Sequence, residues 1–445
     1  MDGTGLAQAR EQAASGQDQA AIQSYLAVLR RDPDDVDALI ELGSLATTNG
    51  HRAAAMTAFR RAILVRPGDA RGYLGIAALS ADAGDTMTAR HYFNIAINLE
   101  PANHLGYQGL CRLDPASDLT LDHWHHGFAG NAVTRMRHRG AGAGVALLLL
   151  VSARGGNIPT APWIDDRIFA VTAIFAEFFD PAAPLPPHEV IVNAIGDADL
   201  CIEALQAAEA IVARCAPGTP IINHPAKVRA TGRVAIAARL RAIPGVITPD
   251  IALRDRKDVM AAPPPAPVIL RTPGHHTGQH CLLAERADSI SPSLDQLPGD
   301  RIFSIQYLDA RAADGLARKY RVMLIGGIAY PVHLAISPDW KVHYFTAAMA
   351  NAAALRAEEQ RFLENMQATL GPRAISALAA IQSMIGLDYA GIDFALSATG
   401  DLMVFEANAT MALIPPDDDP VWHYRRPAIT AAITAARRLI GGCGA

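Results

Sequence analysis

The stretch Tyr389-Ala-Gly-Ile-Asp393-Phe-Ala-Leu396, then a turn at Gly400-Asp401, then Leu402-Met-Val-Phe-Glu406-Ala-Asn408 decides the reading of the C-terminal half. Two apolar, strand-like runs meet at a turn, which is the pattern of a β-hairpin. Glu406 and Asn408 are two apart and therefore share one face of a strand. Pairing of the two runs brings Asp393 beside them. The three residues make a set of oxygen donors on rigid backbone, and all three are candidate metal ligands. Hard Mg²⁺ carried on substrate phosphates is held by one or two carboxylates of this kind. The same residues also admit a plainer reading, in which the acids are solvated and Asn408 caps the next element.

A chain of 445 residues is long enough for two to four domains. Half the residues are apolar and 19% are charged, an ordinary globular composition. With a net charge of −5, neither nucleic acid nor an anionic membrane is expected as a partner. The longest apolar run, Val145 to Val151, is too short to span a bilayer. The N-terminus lacks the basic start and apolar core of a signal peptide, so a cytoplasmic location is expected. Cys111, Cys201, Cys215, Cys281 and Cys443 are scattered without a CxxC pair, which argues against a disulfide scaffold or structural zinc. Lys occurs only at 227, 257, 319 and 341, so Arg carries nearly all the positive charge.

The N-terminal third repeats at a period of 34. Gly16, Gly50 and Gly84 form one series, Tyr25, Phe59 and Phe93 a second, and Pro33, Pro67 and Pro101 a third. Ala54, Ala58, Ala62 and Val65 illustrate the helical spacing between them. Each unit reads as helix, glycine turn and helix, ended by a proline that drives the preceding residue out of the α region. Period and signature resemble the tetratricopeptide repeat. The resemblance implies a stacked solenoid over residues 1–115. It binds a peptide or protein, or it only docks and dimerises; a homodimer is compatible with either.

From about Asp114 the character changes. Leu121-Asp-His123-Trp-His125-His126 reads as a surface loop, because no Cys or carboxylate cluster with ligand spacing accompanies the histidines. Gly140-Ala-Gly142-Ala-Gly144 precedes an apolar strand instead of following one, so it reads as a linker and not as a dinucleotide loop. Val145 to Val151 then reads as a buried strand and residues 168–179 as a helix. Glu189 to Ile195 reads as a second strand, residues 200–215 as a helix, and Pro220 to Asn223 as a third strand. Alternating units of this kind imply a doubly wound parallel sheet. Asn157, Asn193, Asp197 and Asp199 fall at strand C-terminal ends, where such sheets bind ligands. They are candidate substrate contacts, or turn and cap residues.

The order of segments after the third strand resembles the ATP-grasp ligases, in the branch of glutathione synthetase and the ribosomal-protein glutamate ligases. The pieces are Asn223-His-Pro225, then Thr231-Gly-Arg233, then Pro244-Gly245 to Pro249. After a Pro-rich stretch at 261–267 come the strand Pro267 to Arg271 and the loop Thr272-Pro-Gly-His-His-Thr-Gly278. Phe303-Ser-Ile-Gln306-Tyr307-Leu308-Asp309 and Lys319-Tyr-Arg321-Val-Met-Leu-Ile-Gly326-Gly327 follow, and the hairpin with Asp393, Glu406 and Asn408 closes the series. Residues 358–370 and 373–385 read as helices capped by Gly371-Pro372 and Gly386.

The resemblance covers roughly residues 145–440. It implies a multidomain chain: the solenoid, an α/β pre-ATP-grasp domain over 116–228 and an α+β ATP-grasp domain over 229–445. It implies ATP with two Mg²⁺, or Mn²⁺ in their place, and a carboxylate and an amine joined through an acyl phosphate. Arg233 and Arg271 stand where the family has phosphate-binding lysines. His276 and Gly278 lie in the loop that, in the family, closes on the triphosphate. By the same resemblance, Gln306 and Leu308 would lie on the adenine-facing hinge, Asp309 or Asp314 would reach the ribose, and Arg321 would touch the transferring phosphate. Lys341 and His343 are further candidate substrate contacts. Three features depart from the family: the two Arg-for-Lys replacements, Lys319-Tyr320 in place of an acidic residue, and Ala-Thr-Met-Ala after Asn408 in place of Ser-x-Pro-Gly. Against the ligase stands a second reading, a tetratricopeptide adaptor with a nucleotide-sensing or inactive module.

Overall fold

The computed structural model describes residues 4–113, 121–274, 278–342, 349–416 and 419–441. His276 and His343 lie outside them. The chain forms two compact units. Unit 1 comprises Met1–Leu148, Ala153–Gly155 and Asp166–His188, and unit 2 comprises Leu149–Ser152, Gly156–Asp165 and Glu189–Ala445.

Unit 1 begins with helix pairs that follow the 34-residue repeat. They are α1 (Thr4–Ala14) with α2 (Asp18–Arg31), α3 (Val36–Thr48) with α4 (Arg52–Val65), and α5 (Ala70–Asp82) with α6 (Thr86–Leu99). Each pair turns at a glycine of the 34-residue series, with φ of +76° at Gly16 and Gly50 and +77° at Gly84. Only a residue without Cβ takes that conformation cheaply. The aromatic series supplies the packing. A Cβ on Gly43 or Gly75 would lie 2.7 or 2.6 Å from the Phe59 ring, and one on Gly109 would lie 2.2 Å from Phe93. Phe59 is thus wedged between its own repeat and the next. The first repeat solves the same problem with hydrogen bonding. Glu41 occupies the position of Gly75 and Gly109, and the Tyr25 hydroxyl donates to it at 3.1 Å. Helix starts repeat as well: Asp35 accepts from the Ala38 amide at 2.9 Å, Asp69 from Arg71 at 3.1 Å and Asn103 from Gly106 at 3.3 Å.

A further helix pair, α7 (His104–Leu113) and α8 (Leu121–Phe128), extends the stack. The histidine-rich stretch read as a loop is therefore helix. Trp124 is buried, and the His126 ring stacks on Tyr107 at 5.0 Å. Trp124 and Phe128 sit four apart and form one apolar face, which the histidines obscured in the sequence. That face packs with Cys111, Phe175 and Phe178.

Strands β1 (Val133–Arg135), β2 (Val145–Val151) and β3 (Phe169–Phe175) follow, β2 crossing from unit 1 into unit 2. The helix expected over 168–179 is strand β3 and a single 3₁₀ turn, Ala176–Phe178. Its side chains alternate between buried and half-buried over most of its length, and β-branched and aromatic residues suit that pleat better than a helix. β3 pairs antiparallel with β1, so the expectation of a purely parallel sheet fails here. Gly140 lies in the approach to β2, where a Cβ would come within 1.8 Å of the Arg167 carbonyl oxygen.

Unit 2 continues with β4 (Val190–Asn193), α9 (Ile202–Val212) and β5 (Ile221–Ile222), β4 and β5 pairing in parallel. Short helices α10 (Pro225–Arg229) and α11 (Arg233–Leu240) lead into two sheets. The smaller sheet is antiparallel, in the order β7 (Ile251–Asp255), β10 (Arg301–Gln306), β8 (Val268–Arg271), β9 (Cys281–Ala284). Helices α12 (Arg256–Ala261) and α13 (Ile290–Asp295) cover it through a core of Val259, Ile290, Leu294, Val268 and Leu270. The larger sheet has the order β12 (Ile328–Ser337), β11 (Ala317–Ile325), β13 (Tyr389–Leu396), β14 (Leu402–Asn408), β6 (Val246–Ile247). Helices α14 (Ala353–Glu364), α15 (Met366–Ile385) and α16 (Arg426–Gly441) pack on it. The first of the two predicted helices ends earlier than read. Asn365 ends α14 and caps α15, and Gly371, at φ +79°, kinks α15 before Pro372.

Two polar latches hold these layers. Asn223, at φ +56°, donates to the Tyr389 carbonyl at 2.7 Å and accepts from the Tyr389 amide at 2.8 Å. Buried Glu359 accepts from Arg425 at 2.7 Å, from the Tyr424 hydroxyl at 2.5 Å and from the Leu334 amide at 3.2 Å. Full pairing is what makes a buried carboxylate tolerable.

Candidate functional site

The hairpin read from the sequence is β13–β14, and its register aligns the key residues. Arg321 on β11 stands opposite Asp393, Asp393 opposite Glu406, and Gly391 opposite Asn408. Directly opposed residues have Cβ atoms roughly 4.5–5.5 Å apart. Register shifts at Arg321/Val322 and Asp393/Phe394 kink both strands beside these residues.

The carboxylates are tied to cations. Arg321 grips Asp393 in a two-pronged bond, Nε to Oδ1 at 2.6 Å and Nη2 to Oδ2 at 2.8 Å. The Lys319 ammonium lies 3.2 Å from Asp393 Oδ2. Arg233 donates to Glu406 Oε1 at 2.6 Å, and the Asn408 amide donates to the same oxygen at 2.9 Å. Asn408 Oδ1 in turn accepts from the Thr410 amide and hydroxyl at 3.0 and 2.9 Å. Arg233 is the first residue of α11, and its amide donates to Asp199 at 2.8 Å, which puts an anion at that helix start. A Cβ on the preceding Gly232 would come within 2.8 Å of that carboxylate.

Burial works against both acids, and the cations overcome it. Asp393 is held far below the usual carboxylate range, Arg321 and Lys319 outweighing the cost of burial. Glu406 is lowered to about 2, Arg233 and Arg271 outweighing its burial. Both are therefore ionised at neutral pH. Burial lowers Arg271, reinforced by Arg233, while Arg321 is raised because Asp393 outweighs burial. Burial raises Asp199, against its bond from the Arg233 amide.

A cavity of about 510 Å³ opens onto these groups and is lined by both sheets of unit 2. Of the residues predicted from the sequence, Arg233, Arg271, Arg321, Asp393, Glu406, Asn408, Gly278, Gln306, Leu308, Lys341 and Asn157 line it. Gln306 also accepts from the Asp250 amide at 3.1 Å, and Lys341 donates to the Cys281 carbonyl at 3.3 Å. Asn157 lines the cavity but closes its own loop, accepting from the Ser152 amide at 2.8 Å and donating to the Ser152 carbonyl at 2.7 Å.

Three candidates take structural roles instead. Asn193 is fully buried and donates to the Asn223 carbonyl at 2.9 Å, so it is a latch and not a ligand contact. Asp197 closes the turn that precedes α9, accepting from the Asp199 and Leu200 amides at 2.9 Å each, beside a small cavity of about 50 Å³ that also touches Arg233 and Glu406. Asp309 does not line the large cavity and pairs with Arg311 at 2.7 Å on the surface.

The structure adds lining residues that the site reading had omitted: Lys319, Cys281, Trp340, Thr410, Met411 and Ile414. Lys319 carried a signal, since it lies two residues from Arg321 on one strand and so faces the same way. The others depend on loop paths that no local pattern encodes.

Among the described residues, no group of three or more His, Cys, Asp or Glu side chains forms a metal site, and no helix is long and apolar enough to cross a membrane. The candidate metal set is two carboxylates and an amide oxygen, hard donors suited to Mg²⁺. No protein-family model matches this chain, and no curated protein matches it. Among solved structures, a crystal structure of MamA is 19% identical, with a TM-score of 0.25, covering 27% of this chain and 72% of that one. A MamA structure from Desulfovibrio magneticus is also 19% identical, with a TM-score of 0.24, covering 26% and 67%. A tetratricopeptide repeat protein from Parabacteroides merdae is 24% identical, with a TM-score of 0.23, covering 24% and 41%. The helical repeats of unit 1 rest on their own helix pairs and 34-residue spacing.

Proposed function

We propose that the chain is an ATP-dependent carboxylate–amine ligase of the ATP-grasp type that works through an acyl phosphate, and that its repeats recruit a peptide or protein. One observation carries the reading. Four cations (Arg233, Arg271, Lys319, Arg321) and three hard oxygen donors (Asp393, Glu406, Asn408) share the wall of one cavity.

The chemistry follows from these groups. Arg233, Arg271 and Arg321 take up phosphate oxygens, for which guanidinium has matching geometry. A substrate carboxylate oxygen bonds to the γ-phosphorus, and the bond to the ADP oxygen breaks with its electron pair. The amine nitrogen then attacks the acyl carbon, phosphate leaves, and the nitrogen loses a proton. Arg321 stabilises the charge spread over the transferring group. Mg²⁺, or Mn²⁺, supplies charge neutralisation on the phosphates when bound, and Asp393, Glu406 and Asn408 would hold it. The cations now paired with both carboxylates are the groups that incoming phosphate draws away, which leaves the acids to the metal. Those same pairs also favour the second reading, an adaptor with a silent module, because a carboxylate gripped by Arg321 and Lys319 is a poor ligand until it is released.

ADP release, measured with ATP, Mg²⁺ and a panel of amines and amino acids, separates the two. The ligase reading expects turnover that Glu406→Gln or Asn408→Ala reduces at least a hundredfold. ATP binding without turnover, or turnover indifferent to both substitutions, supports the adaptor.

A further inference from the structure

Resting on the ligase reading, we infer that the co-substrate joined at this site presents an uncharged, apolar group to a pocket formed by Pro159, Met411, Ala412, Ile414 and Ile429.

Among the described residues, the charged ones lining the cavity are Arg233, Arg271, Lys319, Arg321, Lys341, Asp393 and Glu406. All but Lys341 are committed to phosphate or metal, and Lys341 reaches toward β9 through the Cys281 carbonyl. The hinge-side wall is carried by β8, β10 and Trp340, including Ile269, Tyr307 and Leu308. What remains comes from the loop after β2, the segment after β14, and α16. Among the described residues, those that line it carry no formal charge.

The polar groups of the segment after Asn408 are paired within the protein. The Thr410 amide and hydroxyl are both spent on Asn408. The Met411 carbonyl accepts from the Tyr389 hydroxyl at 2.8 Å. Tyr389 is held by its stack on Trp163, with ring centroids 5.5 Å apart. Met411 is clamped over β13, where a Cβ on Gly391 would lie 2.5 Å from its sulfur. Thr410 is fixed from the other side, its Cγ2 lying 2.9 Å from a Cβ placed on Gly196. The segment is therefore a rigid wall that offers hydrocarbon. A carboxylate or ammonium side chain lodged there would lose its water and gain no partner. An apolar one gains burial, and in such a pocket a single methylene is worth roughly 10–200-fold in kcat/KM.

The test uses the full chain with Mg²⁺ and ATP, and reads ADP release with leucine, methionine, phenylalanine, glutamate, aspartate and lysine offered in turn. ATP binding is measured separately by calorimetry. Leucine, methionine or phenylalanine should exceed every charged amino acid at least tenfold in kcat/KM. Ile414→Glu, at a position partly open to solvent, should raise KM for the apolar substrate at least tenfold and leave ATP affinity within twofold. Faster turnover of glutamate, aspartate or lysine overturns the pocket assignment and leaves the ligase reading standing. ATP binding with no turnover of any of the six overturns the pocket assignment. Absence of ATP binding overturns the ligase reading itself.

Discussion

Replacing Arg321 by Met tests whether Asp393 is held by charge. The guanidinium makes both short bonds to a carboxylate whose side chain is only 3% exposed. Its removal leaves Asp393 with the Lys319 ammonium at 3.2 Å, off to one side of the lost fork. Removing one partner of a buried ion pair costs about 3–5 kcal/mol, because the remaining charge stays buried and poorly paired. At roughly 2–4 °C per kcal/mol for domains near this size, the transition of unit 2 should fall by ~6–20 °C in scanning calorimetry. The double variant Arg321→Met with Asp393→Leu should recover most of that loss, since an apolar pair of similar volume is often neutral or stabilising.

The pH dependence carries a sign. Asp393 has a folded pKa below its unfolded value, so its contribution is present above the unfolded value and is lost as pH falls toward the folded one. The wild-type chain should therefore lose this contribution progressively as pH falls below the unfolded carboxylate value, and Arg321→Met, in which the Asp393 pKa moves back up, should lose less stability over the same acid range. A single variant within 1 °C of wild type, or a double variant no better than the single, would refute the assignment of Asp393 as a charge-held buried acid.

Other outcomes follow from particular contacts. Phe59→Ala empties the wedge between Gly43 and Gly75 and should cost unit 1 about 3–5 kcal/mol in urea unfolding; a change under 1 kcal/mol would disprove the wedge. Asn223→Ala breaks both bonds to Tyr389 and leaves two buried backbone groups unpaired, at roughly 1–3 kcal/mol each. Hydrogen exchange at Tyr389 should accelerate, and unchanged protection there would sink the latch. Arg271→Ala should weaken ATP binding at least tenfold by calorimetry; unaltered affinity would remove Arg271 from the phosphate site.

Much of the architecture was legible because it is local or periodic. The 34-residue series placed the glycine turns and the Phe59 and Phe93 knobs, since each repeat solves one packing problem in the same way. The β13–β14 hairpin was legible because Asp393, Glu406 and Asn408 ride on two apolar runs joined by a short turn. Misreadings arose where pattern is ambiguous. Residues 168–179 are short and apolar, so period 2 and period 3.6 fit comparably until pairing with β1 settles the matter. The histidines at 123–126 masked the apolar pair Trp124 and Phe128.

By itself, then, the chain determined its helical repeats, its hairpin and the residue types available for phosphate and metal, because those depend on backbone propensity, turn chemistry and spacing. Tertiary structure alone decided which charges meet. Arg233 reaches Glu406 across 173 positions and Arg321 reaches Asp393 across 72. It also decided that Asn193 is a latch, that Asp309 faces solvent beside Arg311, and that Met411 walls the cavity. Coulomb attraction and burial act through space, and no local pattern in the sequence encodes which distant strands they bring together.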